Sequence, residues 1–297
     1  MGMIKRTLIT ALVLVLGYHF ILPHLSRNYY WIPGQQRANY LRAQQFVHDS
    51  PASAKVVVGS SMSNELNPEI LGPDFVKLTF PAGGSFTGLD IIHQTGKQPP
   101  VLFIEINTLL RDTDKNLADD ATSPWRRKLR DASPVFKEEG RPSNYEVGFL
   151  NAWVGRICHG VTKVLNGGKK AEPAAEQPTD ASVMENVMRA NREHLDKPPS
   201  ETDLAARTQR LGEIVDALTK AGTQCVFFEM PIDPTLMGLA EPSAVRKAMA
   251  LRFPQDRYQW LTIDLGTNYQ TSDGIHLVKA DADKVTRQII EKAQSLK

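Results

Sequence analysis

The stretch Lys55-Val56-Val57-Val58-Gly59-Ser60-Ser61-Met62-Ser63 decides the fold. A short β-branched run reads as a strand, and the glycine and serines that end it read as a turn into a helix. Four runs of the same kind follow: Phe75–Phe80 (FVKLTF), Val101–Ile106 (VLFIEI), Cys225–Met230 (CVFFEM) and Trp260–Leu265 (WLTIDL). Gly, Pro, Asn or Asp bounds each one, and three are nearly continuous in hydrophobicity, the pattern of strands covered on both faces. Amphipathic segments lie between them, such as Glu201–Ala221, where Leu204, Leu211, Ile214, Val215 and Leu218 recur on one face. This alternation predicts an α/β fold: a three-layer, doubly wound sheet of about five parallel strands with right-handed crossovers.

Upstream of the first strand, Lys5-Arg6 precedes a run without formal charge, Thr7–Leu22 (TLITALVLVLGYHFIL). No Ala-x-Ala site follows it, and Tyr29-Tyr30-Trp31 suits an interfacial belt, so residues 1–23 read as a signal anchor. A cleaved signal peptide and a buried core helix are the alternatives. The basic flank places the N-terminus in the cytoplasm and the rest of the chain in the periplasm of a bacterial inner membrane. Residues 24–50 form a link in which Gln35–Val47 reads as a short stalk helix, and residues 51–297 form the α/β domain. Residues from about 111 to 200 exceed what one crossover helix needs and read as an insertion over the sheet, a lid or a partner surface. Within it Tyr145–Leu165 reads as helix and Gly167–Ser182 as a mobile loop.

Composition narrows the function classes. Lys and Arg number 35 against 33 Asp and Glu, a net charge of +2, so no overall field points to nucleic acid. The densest basic cluster, Arg126-Arg127-Lys128, reads as a solvated helix face. Cys225 sits in an apolar run and reads as a buried thiol; whether it pairs with Cys158 stays open. His93, His159 and His194 lack metal-ligand spacing, and no glycine segment matches a phosphate loop, so neither metal nor cofactor is expected.

The ends of the strands carry the chemistry. In an open parallel sheet, ligands bind beyond the carboxyl ends of the strands. The first strand runs into Ser61, the second into Gly83-Gly84, the third into Asn107, and the fifth is followed by Asp273-Gly274-Ile275-His276. A serine hydroxyl needs a histidine to take its proton, and the histidine needs a carboxylate to fix its tautomer. Asp273 and His276 are close enough in sequence to face one side of a glycine-containing loop. The backbone N–H of Gly84 (or Gly83) and the Asn107 side chain are placed to hold an oxyanion. Ser60 and Ser63 are rival nucleophiles.

These blocks resemble the SGNH/GDSL hydrolase superfamily, with Gly59-Ser60-Ser61, glycine after the second strand, asparagine after the third, and Asp273-x-x-His276 in order. The resemblance implies a flavodoxin-like sheet and selects Ser61, Asp273 and His276 as catalytic, with Gly84 and Asn107 in the oxyanion hole. Two departures stand out: Ser60 replaces the usual aspartate, and the third block reads Glu105-Ile106-Asn107 rather than Gly-x-Asn-Asp. With Asn67-Pro68-Glu69-Ile70-Leu71, they resemble the membrane-anchored branch that includes the alginate and cellulose O-acetylation factors and the D-alanyl transfer protein of teichoic acid synthesis.

The resemblance implies an extracytoplasmic acyltransferase or carbohydrate esterase acting on an exported polysaccharide through an acyl-serine. Its implied partners are a membrane-bound O-acyltransferase and the polysaccharide synthesis machinery. A non-catalytic scaffold of the same fold and an esterase acting on lipid or peptidoglycan are the competing expectations.

Overall fold

The computed structural model describes residues 2–25, 32, 34–146, 150, 153–154 and 181–296. The chain divides into two compact units, Met1–Gln44 with Ser123–Pro178, and Gln45–Thr122 with Thr179–Lys297.

The larger unit holds an all-parallel sheet of five strands: β1 (Lys55–Gly59), β2 (Phe75–Thr79), β3 (Val101–Glu105), β4 (Gln224–Phe228) and β5 (Gln259–Leu261). Their order is β2-β1-β3-β4-β5, with Val57 opposite Lys77 on one side and Phe103 on the other. Every residue of β3 is buried, as the unbroken hydrophobicity of Val101–Ile104 requires of a strand between two layers. Val57, Phe103, Val226 and Phe228 point to one face, where they pack with Leu66, Leu236, Val285 and Ile289. The other face is covered by the helix Ser85–Thr95 against β1 and β2 and by Glu201–Lys220 against β4. Strand order reverses between β1 and β3, which is where such sheets bind ligands.

Numbered along the chain, the helices are α1 (Met3–Ile21), α2 (Gln35–Asp49), α3 (Ser61–Asn64), α4 (Pro68–Leu71), α5 (Ser85–Thr95) and α6 (Lys115–Thr122). After them come α7 (Pro124–Ala132), α8 (Ala181–Leu195), α9 (Glu201–Lys220), α10 (Pro234–Met237), α11 (Ala240–Arg252) and α12 (Lys279–Ser295). The short α4 is set by Asn67, whose side chain accepts the amide of Glu69 at 3.0 Å, and by Pro68 at the first helical position. The same Asn67 donates from Nδ2 to Asp283 at 2.8 Å, tying α4 to α12.

Two expectations need correction. The last strand ends at Leu261 rather than Leu265, because only β4 pairs with it and the chain leaves the ladder at the sheet edge. The 111–200 insertion is not one body. Its first helix, α6, buries Leu117, Ala118 and Ala121 and packs on α5, while α8 packs on α11, so both belong to the sheet unit. The basic cluster lies on α7, where Arg126 and Arg127 are half-buried and Lys128 is exposed, next to the exposed Trp125.

The smaller unit contains α1, which with the 3-10 turn Leu22–His24 makes a helical segment of 22 residues long and apolar enough to cross a membrane. Its residues from Gly2 to Gly17 are exposed all round. The stalk helix extends slightly beyond expectation, to Asp49. Tyr29-Tyr30-Trp31 and Cys158 lie outside the described residues, as do most of Tyr145–Leu165 and all of Gly167–Ser182 except Ala181 and Ser182, which open α8. Cys225 is buried with its thiol free, and burial pushes its pKa up to about 11.

Candidate active site

The site starts at the end of β1. Ser60 is extended and caps α3 by accepting the amide of Met62 on its hydroxyl at 3.1 Å, so Ser61 becomes the first helical residue. The tight turn needs Gly59, because a Cβ there would overlap the Ser63 hydroxyl and the Glu105 carboxylate. Glu105, at the end of β3, is 1% exposed and collects four donors. They are the Ser60 amide at 2.9 Å, the Ser60 hydroxyl at 2.6 Å, the Ser63 amide at 3.2 Å and the Ser63 hydroxyl at 2.5 Å. The two rival nucleophiles are therefore buried donors to one carboxylate. Ser61 alone of the three points elsewhere.

It points to His276. Ser61 Oγ lies 2.8 Å from His276 Nε2, and His276 Nδ1 lies 2.6 Å from Asp273 Oδ2. With Nδ1–H donated to the carboxylate, Nε2 is left to accept the serine proton. Asp273 is itself fixed, since its Oδ1 accepts the amides of Ile275 at 3.0 Å and His276 at 2.8 Å. The carrier loop is held from two sides. Asn191 on α8 donates to the Asp273 carbonyl at 2.9 Å, and the Asp233 amide donates to the Gly274 carbonyl at 2.7 Å. Gly274 has φ +92°, and a Cβ there would run into the Met188 sulfur. A residue other than glycine would be strained and obstructed.

Electrostatics follow from these contacts. Burial disfavours the charge on Asp273, yet the hydrogen bonds from the His276 ring and from the two amides together pull its carboxyl below the usual range. His276 is raised above its ordinary value by the hydrogen bond to Asp273, against the opposing effect of burial; the charges of Asp273 and Glu65 add to the rise and Arg111 works against it.

The expected oxyanion donors sit across the sheet reversal. Gly84 caps α5 and lies against the turn that follows β3, with Thr108 and Arg111 where a Cβ would be. Gly83 spends its amide on the Phe80 carbonyl at 2.8 Å and its carbonyl on Arg111 Nη1 at 3.1 Å, so Gly84 is the better donor of the two. Asn107 is clamped to the end of β4: its Nδ2 donates to the Met230 carbonyl at 2.9 Å and its Oδ1 accepts the Met230 amide at 2.7 Å. One Nδ2 hydrogen is left over. A cavity of about 420 Å³ is bounded by Asn107, Arg111, Asn191, Val245 and by Met62 and Ile275, the residues next in sequence to Ser61 and His276. Another cavity, about 540 Å³, lies at the β5 edge and has none of Ser61, Gly84, Asn107, Asp273 and His276 in its wall. Among the described residues, no group of three or more His, Cys, Asp and Glu could hold a metal ion.

Sequence reasoning missed Glu105 as an organiser of the serine turn and Asn191 as a brace for the histidine loop. A charged residue ending an otherwise apolar strand was the available signal for Glu105. Nothing in the sequence marks Asn191, whose role depends on α8 returning to the sheet. No protein-family model matches the chain, and no curated protein matches its sequence.

Proposed function

We propose that this protein is a serine-dependent acyltransferase or esterase, anchored by α1 in the bacterial inner membrane, that modifies an exported polysaccharide. The observation that carries the reading is the relay from Ser61 Oγ through His276 to Asp273, at 2.8 and 2.6 Å.

The chemistry follows from the relay. Ser61 Oγ attacks the acyl carbonyl as its proton passes to His276 Nε2. The tetrahedral oxyanion is met by the Gly84 amide and the spare Asn107 hydrogen. As the carbon–oxygen bond to the leaving group breaks, His276 returns the proton to it, leaving an ester on Ser61. An acceptor hydroxyl then gives its proton to His276 and attacks that ester; as the bond to Ser61 Oγ breaks, His276 hands the proton to Oγ and the serine is restored. If the acceptor is a sugar, the outcome is transfer; if it is water, hydrolysis. The cavity beside Met62 and Ile275 has apolar wall for a short acyl chain and polar wall, Asn191 and Arg111, for a carbohydrate. An anchored enzyme favours transfer within a complex that includes a membrane-bound O-acyltransferase.

The test is labelling by a serine-reactive fluorophosphonate and turnover of a small acetyl ester. Labelling that disappears in both Ser61→Ala and His276→Ala supports the reading. An unlabelled wild-type protein that turns over no ester overturns it in favour of a non-catalytic scaffold.

A further inference from the structure

Helix α7 turns its large apolar residues outward, alongside the exposed Lys128 and Asp131, and buries one arginine. Arg130 is 7% exposed, whereas Trp125 is 61% and Leu129 is 39% exposed. Trp125, Leu129 and the exposed Ala132 recur at helical spacing and so form one outward stripe. Phe136, 44% exposed, follows directly in the 3-10 turn Pro134–Phe136. In the same unit Leu150, Trp153 and Val154 are exposed as well. Water on the outside would favour the opposite arrangement, with the aromatics inside and the guanidinium out.

What lies next to the stripe indicates what covers it. Ser133, which ends α7, hydrogen-bonds through Oγ to His19 Nδ1 at 2.7 Å, and the turn after it packs on α1. Leu22, just past the end of α1, is buried close to Gly140. The preceding residues of α1 from Gly2 to Gly17 are bare. The level at which protein first surrounds α1 is therefore the level at which α7 is attached. A spanning helix leaves the hydrocarbon at that level, where the headgroup region begins. Tryptophan with aliphatic neighbours on one side and Lys or Arg flanking it is the composition that such a boundary retains.

We propose that α7 is an interfacial helix. Trp125, Leu129 and Phe136 insert into the headgroup–acyl boundary of the membrane that α1 crosses, and Lys128 reaches lipid phosphates. This rests on α1 being a membrane anchor, as in the proposed function. The span and the stripe then give this unit two points of attachment.

The test uses full-length protein carrying Cys158→Ser and Cys225→Ser, in vesicles of phosphatidylcholine and phosphatidylglycerol. A nitroxide label is placed at Leu129→Cys, or at Leu14→Cys as the reference inside α1. Oxygen collisions that exceed those with a water-soluble nickel chelate several-fold at both positions support the proposal. A lipid-like Leu14→Cys label with a water-exposed Leu129→Cys label overturns the interfacial helix and leaves the anchor standing. Water exposure at both positions overturns the anchor and the interfacial helix together. A Leu129→Cys label shielded from both reagents assigns the stripe to a protein partner and also overturns the proposal. Trp125→Cys provides the same readout if Leu129→Cys fails to fold.

Discussion

Ser60 and Glu105 are joined twice, amide to Oε2 at 2.9 Å and hydroxyl to Oε1 at 2.6 Å. Position 60 is where the hydrolase resemblance leads one to expect an aspartate. Here the carboxylate comes instead from the neighbouring strand, and a serine meets it. Two oddities of the sequence, the missing aspartate and the acidic third block, are thus halves of one contact.

Removing that carboxylate strands four buried donors. Glu105→Ala is expected to destabilise the fold by about 3 kcal/mol, because unsatisfied buried groups cost more than a hydrogen bond gains. Glu105→Gln turns an amide nitrogen toward donors and loses part of the same stability. Chemical denaturation measures both; stability equal to wild type in Glu105→Ala would refute the organising role.

Within the relay, effects should fail to add. Ser61→Ala and His276→Ala are each expected to lower kcat/KM on an acetyl ester on the order of 10^6-fold, and the double variant no further. Asp273→Asn keeps the shape but reverses the tautomer preference of His276, and a loss of roughly 10^4-fold is expected. Steady-state kinetics on the four proteins checks this, and additive losses would mean that the residues do not act as a unit.

His276 must be neutral to act as a base. The hydrogen bond to Asp273 holds its pKa above the ordinary 6.5, so the acid limb of kcat/KM falls at a pH above that value. Fold stability runs the other way. The contribution of His276 is complete below 6.5 and is lost as pH rises through its raised pKa. That of Asp273 is present above 3.8 and is lost as pH falls through its lowered pKa. Turnover therefore improves over the range in which the pair stabilises the fold less. A pH–rate profile with its acid midpoint below 6.5 contradicts this.

Two loop positions should respond in opposite directions. Ala82 has φ 63° in the turn before α5, a conformation that costs a side-chain-bearing residue roughly 1 kcal/mol. Ala82→Gly is expected to be neutral or stabilising by up to about 1 kcal/mol. Gly274→Ala combines positive φ with a clash at Met188, and should destabilise the loop by about 2 kcal/mol and reduce activity with it. Thermal unfolding alongside ester hydrolysis separates the two.

How much of this was legible in the sequence depended on the range of each interaction. The strands could be read because burial on both faces leaves a local mark: Val56, Val57 and Val58, or Leu102, Phe103 and Ile104, are consecutive apolar residues. The three residues of the relay could be read because each sits just beyond a strand or in a short glycine-containing loop. Glu105 could not be, since its role exists only through Ser60 and Ser63 in the turn and helix that follow another strand. For the same reason α6 and α8 looked like parts of one insertion: their partners, α5 and α11, are remote in sequence. On α7 the run Arg126-Arg127-Lys128 read as a solvated face, and none of the three is buried, but the burial of Arg130 beside the exposed Trp125 has no local mark.

Ser61 and His276 stand 215 positions apart in the chain. A ribosome completes the serine turn and its flanking strands long before it reaches the loop that bears the base. Through most of synthesis the serine is an ordinary alcohol, unable to capture an acyl group from its surroundings. On the proposed function, the serine gains its base only when the loop Asp273–His276 closes onto the sheet, so synthesis of that loop acts as the switch that arms it.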